Sequence, residues 1–179
     1  MLDEYLVHIL ELINHHGWAV QHVGGGELPG EVPFSYTVGL TALGHPELVI
    51  QGMPYRPAQQ LLNILGSEVR KGHRYREDSL TSDPTGTAAP VALISVLDAS
   101  ELAVATQLYG GVEALQVIWP DSKGRLPWDN GYANSPDVQP FMGIVPERFG
   151  PFEGDQSPRE SLTHADIQTV HPTRTSPVI

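Results

Sequence analysis

Frequent proline and glycine residues exclude a helical bundle for this chain. Its 179 residues include 16 prolines and 18 glycines, together about a fifth of the sequence. A proline inside a helix removes a backbone hydrogen-bond donor and clashes with the preceding turn, and a glycine there lowers helix stability. The stretches between these residues leave room for short strands and a few helices. We therefore expect an α+β fold with many turns.

The composition indicates one folded domain without cysteine chemistry. Hydrophobic residues make up 40% of the chain and charged residues 17%, a balance typical of a globular domain rather than a disordered one. The absence of cysteine excludes disulfides, thiolate metal sites and a cysteine nucleophile. The sequence has no secretion signal and no apolar run long enough to span a bilayer. We expect a cytoplasmic protein that does not enter a membrane.

The charge balance argues against nucleic acid as a partner. Ten basic and 21 acidic residues give a formal net charge of −11, which repels a phosphate backbone. The one basic cluster covers residues 70–76, and Glu77 and Asp78 follow it immediately. Such a short cluster is typical of a solvated helix end.

Apolar residues at three- and four-residue spacing predict two long helices, each ending at a glycine. They cover residues 2–16 and 56–71. A shorter third helix is expected after Asp98 or Ser100, because either side chain can cap a helix N-terminus.

Alternating and continuous apolar runs predict the strands of a sheet. Residues 90–97 are almost all apolar, which predicts a central strand buried on both faces. Residues 73–79 are expected to be an extended edge segment, and 81–89 a polar loop. The other predicted strands cover 18–23, 33–40, 47–53 and 114–119.

These elements predict a single α+β domain with a mixed, largely antiparallel sheet packed against two or three helices. The strands at 33–40 and 47–53 are expected to form a hairpin or to be neighbours. Periodicity is lost near residue 149, where proline, serine, threonine and charged residues accumulate. We expect a globular domain over 1–148 and a flexible C-terminal tail over 149–179.

Three sequence motifs resemble a known bacterial family, the domain of unknown function numbered 4262. They are Tyr-Thr-Val-Gly-Leu at 36–40, Gly-His-Pro-Glu-Leu at 44–48, and Trp-Pro-Asp at 119–121 followed by Pro-Trp at 127–128. The motifs are long and occur in order, and the resemblance covers roughly residues 2–144. It implies no established activity, cofactor or catalytic residue.

The densest group of reactive side chains lies in and between the first two motifs. Here His45 can act as a general base, with Glu47 orienting it and Tyr36 or Thr37 holding a substrate. The alternative is structural, since a histidine in a tight turn commonly bonds to backbone groups. The spacing leaves both interpretations open.

A metal site is a further alternative around the same histidine. His45 could be a ligand together with Glu47 and a third residue such as His73 or His22. However, His-Pro-Glu at a turn is not a known ligand spacing. No nucleophile elbow, phosphate-binding loop, dinucleotide fingerprint or zinc-protease helix occurs in the chain. The cofactor therefore stays undetermined.

The third motif contributes candidate ligand-binding residues. Trp119 and Trp128 could stack on a planar ligand or fill the core, and Asp121 could bind a polar ligand or form surface salt bridges. With Thr37, these three residues form the predicted ligand-binding set.

Three functions are compatible with these residues. The first is a binding domain, such as an accessory or immunity-type module, that takes a small molecule or a protein partner in an aromatic-lined cleft. The second is a hydrolase or lyase, cofactor-independent or metal-assisted, that uses His45 and Glu47. The third is a structural domain that forms a homo-oligomer. Convergence of His45, Glu47, Asp121 and His73 near Trp128 would favour the enzyme, and scatter would favour the other two.

Overall fold

The computed structural model describes residues 3–81 and 89–150, which form one sheet with helices on both faces. Within these residues there are three α-helices and six strands. The helices are α1 (Glu4–His16), α2 (Tyr55–Arg70) and α3 (Ala103–Tyr109). The strands are β1 (Ala19–Val23), β2 (Phe34–Val38), β3 (Glu47–Gln51), β4 (Leu80–Thr81), β5 (Val91–Ser95) and β6 (Ala114–Ile118).

The sheet is mixed and largely antiparallel, as the sequence predicted. Its strand order is β1-β2-β3-β6-β5-β4. The central pair β3 and β6 is parallel, and every other neighbouring pair is antiparallel. The expected adjacency of the strands near 33–40 and 47–53 is confirmed by the antiparallel pairing of β2 with β3. The α+β fold class is therefore confirmed.

Local signals set both ends of α1. The Asp3 carboxylate accepts a hydrogen bond from the Tyr5 N–H at 3.3 Å, which satisfies one of the free donors of the first turn. Gly17 has a φ of 96° and its N–H donates to the Ile13 carbonyl at 2.7 Å. This left-handed residue ends the helix where the sequence predicted it to end.

The two faces of the sheet are covered by different helices. On one face α2 packs through Leu61, Leu62 and Leu65 on strand residues such as Leu48. On the other face α1 and α3 cover the sheet, with Ile9 and Ala105 among their buried residues. The core is therefore divided by the sheet into two main layers.

The segment that follows β6 packs over the α1 and α3 side of the sheet at its β5 end. Gln139 replaces a missing strand partner there, because its amide accepts from the Trp119 N–H at 3.1 Å and donates to the Trp119 carbonyl at 2.7 Å. Gln116 likewise donates to the Pro140 carbonyl at 2.7 Å. Two buried glutamines thus attach an irregular segment to β6 and its continuation.

The position of β5 differs from the prediction. Its first four residues are buried, as the apolar run indicated, but the strand lies between β6 and the two-residue β4 rather than at the centre. The edge strand also differs, because residues 73–79 are irregular and only Asp78 and Ser79 bond to Leu93 before β4 begins. The predicted loop at 81–89 lies mostly outside the described residues.

The start of α3 is a second correction. Neither predicted capping residue caps it: Asp98 accepts from the Ser100 N–H at 2.9 Å in a separate turn, and the helix begins only at Ala103. The Val104 N–H donates instead to the Tyr36 hydroxyl at 3.2 Å. A side chain from β2, distant in sequence, thus satisfies one free donor of this helix.

The predicted tail begins at a residue that belongs to the packed domain. Phe149 ends a short 3-10 helix and stacks on Trp128, with ring centroids 4.6 Å apart. Residues 151–179 of the predicted tail lie outside the described residues.

Candidate functional site

The Glu47 carboxylate organises the turn between β2 and β3. It is fully buried, with 0% of the residue exposed. One oxygen accepts from the N–H groups of Gly39 and Thr41 at 3.0 Å each and from the Thr41 hydroxyl at 2.8 Å. The other accepts from the Thr37 hydroxyl at 2.6 Å and the Leu40 N–H at 3.3 Å. We call residues 37–47 the Glu47 turn, because five donors converge on this one side chain.

Two further contacts leave the Glu47 turn closed. The Thr37 hydroxyl, which donates to Glu47, also accepts from the Leu48 N–H at 2.8 Å, so both of its roles are used. Gly39 has a φ of 129°, and a Cβ atom there would lie 2.7 Å from the Gly17 carbonyl oxygen. Only glycine therefore fits this position without strain.

His45 is a buried histidine whose two ring nitrogens bond to the backbone. Nδ1 lies 2.6 Å from the Pro46 carbonyl oxygen, and the Tyr75 N–H donates to Nε2 at 3.0 Å. A backbone N–H can only donate, so Nε2 is the acceptor and Nδ1 carries the proton. Burial lowers the pKa of His45 below 6.5, and the hydrogen bond to Pro46 opposes this effect in part. The neutral ring thus joins β3 to the segment after α2.

His45 and Glu47 bond to different groups in the described part of the chain. The side-chain hydrogen bonds of His45 go to Pro46 and Tyr75, and those of the Glu47 carboxylate stay inside its turn. His73 also packs on the Tyr75 ring, with centroids 4.3 Å apart. Among the described residues, no group of three or more histidine, aspartate or glutamate side chains is placed to hold a metal ion.

Tyr36 is placed in the core on the side of α1 and α3. Only 1% of the residue is exposed, and its ring stacks on Phe34 with centroids 5.9 Å apart. Burial raises the pKa of Tyr36, although the hydrogen bond from the Val104 N–H lowers it. Its hydroxyl therefore serves the start of α3 in this structure.

Asp121 organises the loop that follows β6. One carboxylate oxygen accepts from the N–H groups of Lys123 and Arg125 at 2.8 and 2.9 Å, and the other accepts from the Ala133 N–H at 2.9 Å. The Arg125 guanidinium lies 3.1 Å from the same second oxygen. Burial raises the pKa of Asp121, but these hydrogen bonds and the Arg125 charge outweigh it and hold the pKa at about 2.

The two tryptophans of the third motif lie in different places. Trp128 stacks on Phe149 and contacts Phe141, with centroids 4.6 and 6.4 Å away. The Trp119 indole N–H donates to the Gln51 carbonyl at 2.9 Å, and its ring lines a cavity of about 540 Å³ beside α2. Trp128 is thus part of a core cluster, whereas Trp119 borders a cavity.

The predicted site residues do not form one constellation in the described structure. Thr37 and Glu47 are hydrogen-bonded to each other, and His45 and His73 both contact the Tyr75 ring. Asp121 and Trp128 belong to the segment after β6, where Asp121 bonds to its own loop. The candidate residues thus belong to separate hydrogen-bonded groups in the described part of the chain.

A cleft with a different set of side chains lies over the sheet edge formed by β1. We call it the edge cleft; α1 and α2 form its walls, and its volume is about 620 Å³. Residues of both helices and of β1 line it, although the two helices pack on opposite faces of the sheet. Its aromatic and polar lining includes Tyr5, His8, Trp18, His22, Tyr55 and Asn63.

The aromatic rings of the edge cleft are accessible. Tyr5 on α1 is 49% exposed and Tyr55 on α2 is 42% exposed, values well above those of core tyrosines. The half-buried Trp18 ring lies directly on α2, where a Cβ atom on Gly66 would be 2.7 Å from its Cε2 atom. The His22 ring contacts Tyr55, with centroids 5.1 Å apart. The glycine thus lets an aromatic ring lie against the helix.

Hydrogen bonds inside the edge cleft fix the orientation of its polar groups. The Trp18 indole N–H donates to the Asn63 oxygen at 3.0 Å, so the Asn63 amide nitrogen faces away from it. The Gln59 amide nitrogen donates to the Tyr55 hydroxyl at 2.8 Å, which leaves the hydroxyl proton able to donate elsewhere. The groups of these pairs that a ligand could still reach, the Asn63 amide nitrogen and the Tyr55 hydroxyl proton, are therefore donors.

Sequence reasoning missed this cleft, although a weak signal was present. Tyr55, Gln59 and Asn63 recur at four-residue spacing beside the apolar face of α2, and Gly66 continues the same stripe. Such a polar stripe is usually a solvated helix face. The stripe becomes a wall only because β1 is an edge strand, and strand order was not predicted.

The comparisons with known proteins give a family and no activity. The family model described as "Domain of unknown function (DUF4262)" matches residues 12–133, more than half of the chain. The chain belongs to this family. No curated protein and no solved structure matches it significantly. The matched region of this DUF4262 domain contains the Glu47 turn and most of the edge cleft.

The described helices carry no membrane signal. None of them in residues 3–81 and 89–150 combines the length and apolar composition that a bilayer crossing requires.

Proposed function

We propose that this DUF4262 domain is a binding module that takes a small planar molecule in the edge cleft. The observation that carries the proposal is the convergence of three accessible aromatic rings and several outward donors on one cavity. Small-molecule sites are concave, mostly apolar, and have volumes of roughly 300–1,000 Å³ with a few convergent polar groups. The edge cleft, at about 620 Å³, falls within this range.

The rings support a planar ligand in particular. Tyr5 and Tyr55 project from the two walls, and Trp18 lies between them on the α2 side. Aromatic faces stabilise other planar groups by offset stacking in addition to burying apolar area. The side chains of Ile9 and Leu12 add aliphatic surface on the α1 wall.

Other cavities support a ligand less well. A larger one, of about 810 Å³, contains Arg74 and Arg148, but their guanidinium groups are already used. Arg74 donates to the Val69 and Leu43 carbonyls at 3.1 Å each, and Arg148 lies 3.4 Å from the Asp78 carboxylate. The edge cleft offers more uncommitted groups than this cavity does.

A hydrolase or lyase that uses His45 and Glu47 has weaker support. A general base must offer a basic atom to the substrate within hydrogen-bond reach. Nε2 of His45 already accepts from Tyr75, and the residue is 3% exposed. Both oxygens of Glu47 are likewise occupied by donors of its own turn. Binding without turnover is therefore the function that we propose.

The proposal places the protein in the cytoplasm of a bacterium. The lack of cysteine fits a reducing compartment, and the acidic composition fits a free, highly charged protein. A protein partner that inserts an aromatic side chain into the edge cleft is the alternative occupant, and the experiment below separates the two.

Nuclear magnetic resonance of the full chain tests the proposal without knowledge of the natural ligand. The amide spectrum would be recorded while benzamide and benzoate are added separately as planar probes. We expect saturable shifts concentrated on the α1, β1 and α2 residues that line the edge cleft. Tyr55→Ala should weaken binding of both probes about tenfold, because it removes one stacking surface on the wall.

A matched variant separates the edge cleft from the rest of the surface. Lys123→Ala alters the cavity beside Trp119 and should leave the affinity of both probes unchanged. The proposal is wrong if neither probe shifts the cleft resonances, or if Lys123→Ala weakens binding as much as Tyr55→Ala does. If neither probe binds, a protein partner that inserts an aromatic side chain becomes the favoured occupant of the edge cleft.

A further inference from the structure

We propose that the edge cleft selects anionic ligands, in which a carboxylate or phosphate group is attached to the planar ring. This inference rests on the proposed function, because it names the ligand class for the same site. It depends on the charge of the lining and on the direction of the hydrogen bonds there.

The lining of the edge cleft differs in charge from the chain as a whole. It contains Arg70 and the three histidines His8, His16 and His22, and no aspartate or glutamate is among its described residues. The complete chain has a formal net charge of −11. A region without carboxylates is therefore a local exception on an acidic protein, and it lowers the repulsion that an anion would meet elsewhere.

Three polar groups of the edge cleft can donate to a ligand, whereas the Tyr5 hydroxyl already donates to the Gln21 side chain. The Asn63 amide nitrogen faces away from Trp18. The Tyr55 hydroxyl accepts from Gln59, so its own proton is free to be donated to a ligand. The Arg70 guanidinium uses one nitrogen for the His16 carbonyl at 3.0 Å and has further N–H groups. Donors stabilise carboxylate and phosphate oxygens, and such charge-assisted bonds are about twice as strong as neutral ones.

The predicted selectivity is moderate because the Arg70 side chain is exposed to solvent. Water and salt screen such charges, with a Debye length of about 10 Å at 0.1 M ionic strength. We therefore expect roughly tenfold preference for an anion over its neutral isostere at low salt, which corresponds to about 1.4 kcal/mol.

Formally charged groups of both signs lie at the edge cleft. Arg70 lines it, and the Glu11 carboxylate lies 4.0 Å from Nδ1 of His8, which also lines it. We expect the preference for an anion to come from Arg70, because it is the one lysine, arginine or carboxylate residue among the described residues of the lining.

A pair of isosteric probes provides the test. Dissociation constants of benzoate and benzamide would be measured on the full chain by amide shifts at pH 7, at low and high salt. We expect benzoate to bind about tenfold more tightly than benzamide at low salt, with the preference reduced at high salt. Phenyl phosphate in place of benzoate shows which anionic group is preferred.

Variants identify the source of the preference. Arg70→Gln should weaken benzoate binding several-fold and benzamide binding much less, and Arg70→Lys should restore most of the loss. Equal affinities for benzoate and benzamide at the edge cleft would overturn this inference and leave the proposed function intact. Benzoate shifts centred on Lys123 would overturn it as well. Failure of both probes would overturn both proposals.

Discussion

The Glu47 turn and the edge cleft hold their polar side chains in opposite states. In the turn, a carboxylate accepts five hydrogen bonds and a nearby histidine uses both ring nitrogens. In the cleft, Tyr5 and Tyr55 are about half exposed, and the polar groups are only partly paired. Reactive residue types thus occur in both regions, but only the cleft leaves them able to bind anything else.

This difference shows that a dense motif can describe a structural unit. A buried polar group costs free energy unless it is hydrogen-bonded, so a buried carboxylate requires many donors nearby. The short turn from Thr37 to Glu47 supplies these donors from adjacent residues, which makes the sequence pattern compact. Side chains of the cleft are spread over α1, β1 and α2, and they leave no compact pattern.

The largest effect is expected from Glu47→Gln. The amide nitrogen would face donors where a carboxylate oxygen now accepts, so at least one buried N–H would lose its partner. Loss of a buried charged acceptor costs about 3–5 kcal/mol of unfolding free energy. Chemical denaturation at pH 7 measures this quantity.

An exposed carboxylate in the residue before β6 provides the control. Glu113 is exposed, and Glu113→Gln should change the unfolding free energy by less than about 0.5 kcal/mol. If both variants are equally stable, the hydrogen bonds of Glu47 do not hold the turn, and a functional role for this carboxylate regains support.

A smaller, pH-dependent effect is expected from His45. Because burial lowers its pKa below 6.5, the unfolded chain binds a proton more readily than the folded chain does. Stability from this group is therefore complete above pH 6.5 and is lost as the pH falls through the folded pKa. His45→Gln should cost about 1–3 kcal/mol at pH 7.5 and flatten the stability profile between pH 7 and pH 5.

The exposed His15 supplies the comparison for this profile. His15→Gln should change the unfolding free energy by less than about 0.5 kcal/mol, because the residue is exposed. A His45→Gln profile parallel to that of the original chain would show that another group carries the acid sensitivity.

The smallest effect is expected on the wall of the edge cleft, from Gly66→Ala. In an exposed helix interior this change would stabilise by about 1 kcal/mol. Here the new Cβ atom would lie 2.7 Å from the Trp18 ring, so the ring must move and the contact worsens. We expect a net loss of about 1 kcal/mol and a shift of one of the three tryptophan indole N–H resonances.

Gln60→Ala distinguishes crowding from helix propensity in this experiment. Gln60 is exposed on the same helix, and its replacement should raise stability by a few tenths of a kcal/mol. A stabilising Gly66→Ala would mean that the Trp18 ring is free to move away, and the cleft wall would then be less fixed than proposed.

Local signals predicted most of the fold. The helical periodicity of α1 and α2, the glycine after α1 and the alternation in β2 depend on neighbouring residues, and the structure agrees with them. The start of α3 could not be predicted in this way, because its partner is the Tyr36 hydroxyl on a distant strand. The same holds for the position of β5, which depends on strand order.

The candidate site was less accessible to sequence reasoning than the fold. His45 and Asp121 were candidates because their side chains are reactive types. Whether such a side chain is free to bind a ligand depends on which backbone donors surround it. The edge cleft needed two facts that a single sequence does not contain: β1 is an edge strand, and residues of both α1 and α2 line one cavity with it.

The parallel pairing of β3 with β6 separates the sheet into two halves with different folding requirements. Strands β1 to β3 are successive in the chain, as are β4 to β6, and each set pairs antiparallel within itself. Glu47 and Ala114 meet across the central seam from distant parts of the sequence. Closing so long a loop costs more entropy than forming either half, and such non-local contacts slow folding. Every residue named for the edge cleft precedes Ala114 in the chain, so the proposed ligand site is encoded in the N-terminal half.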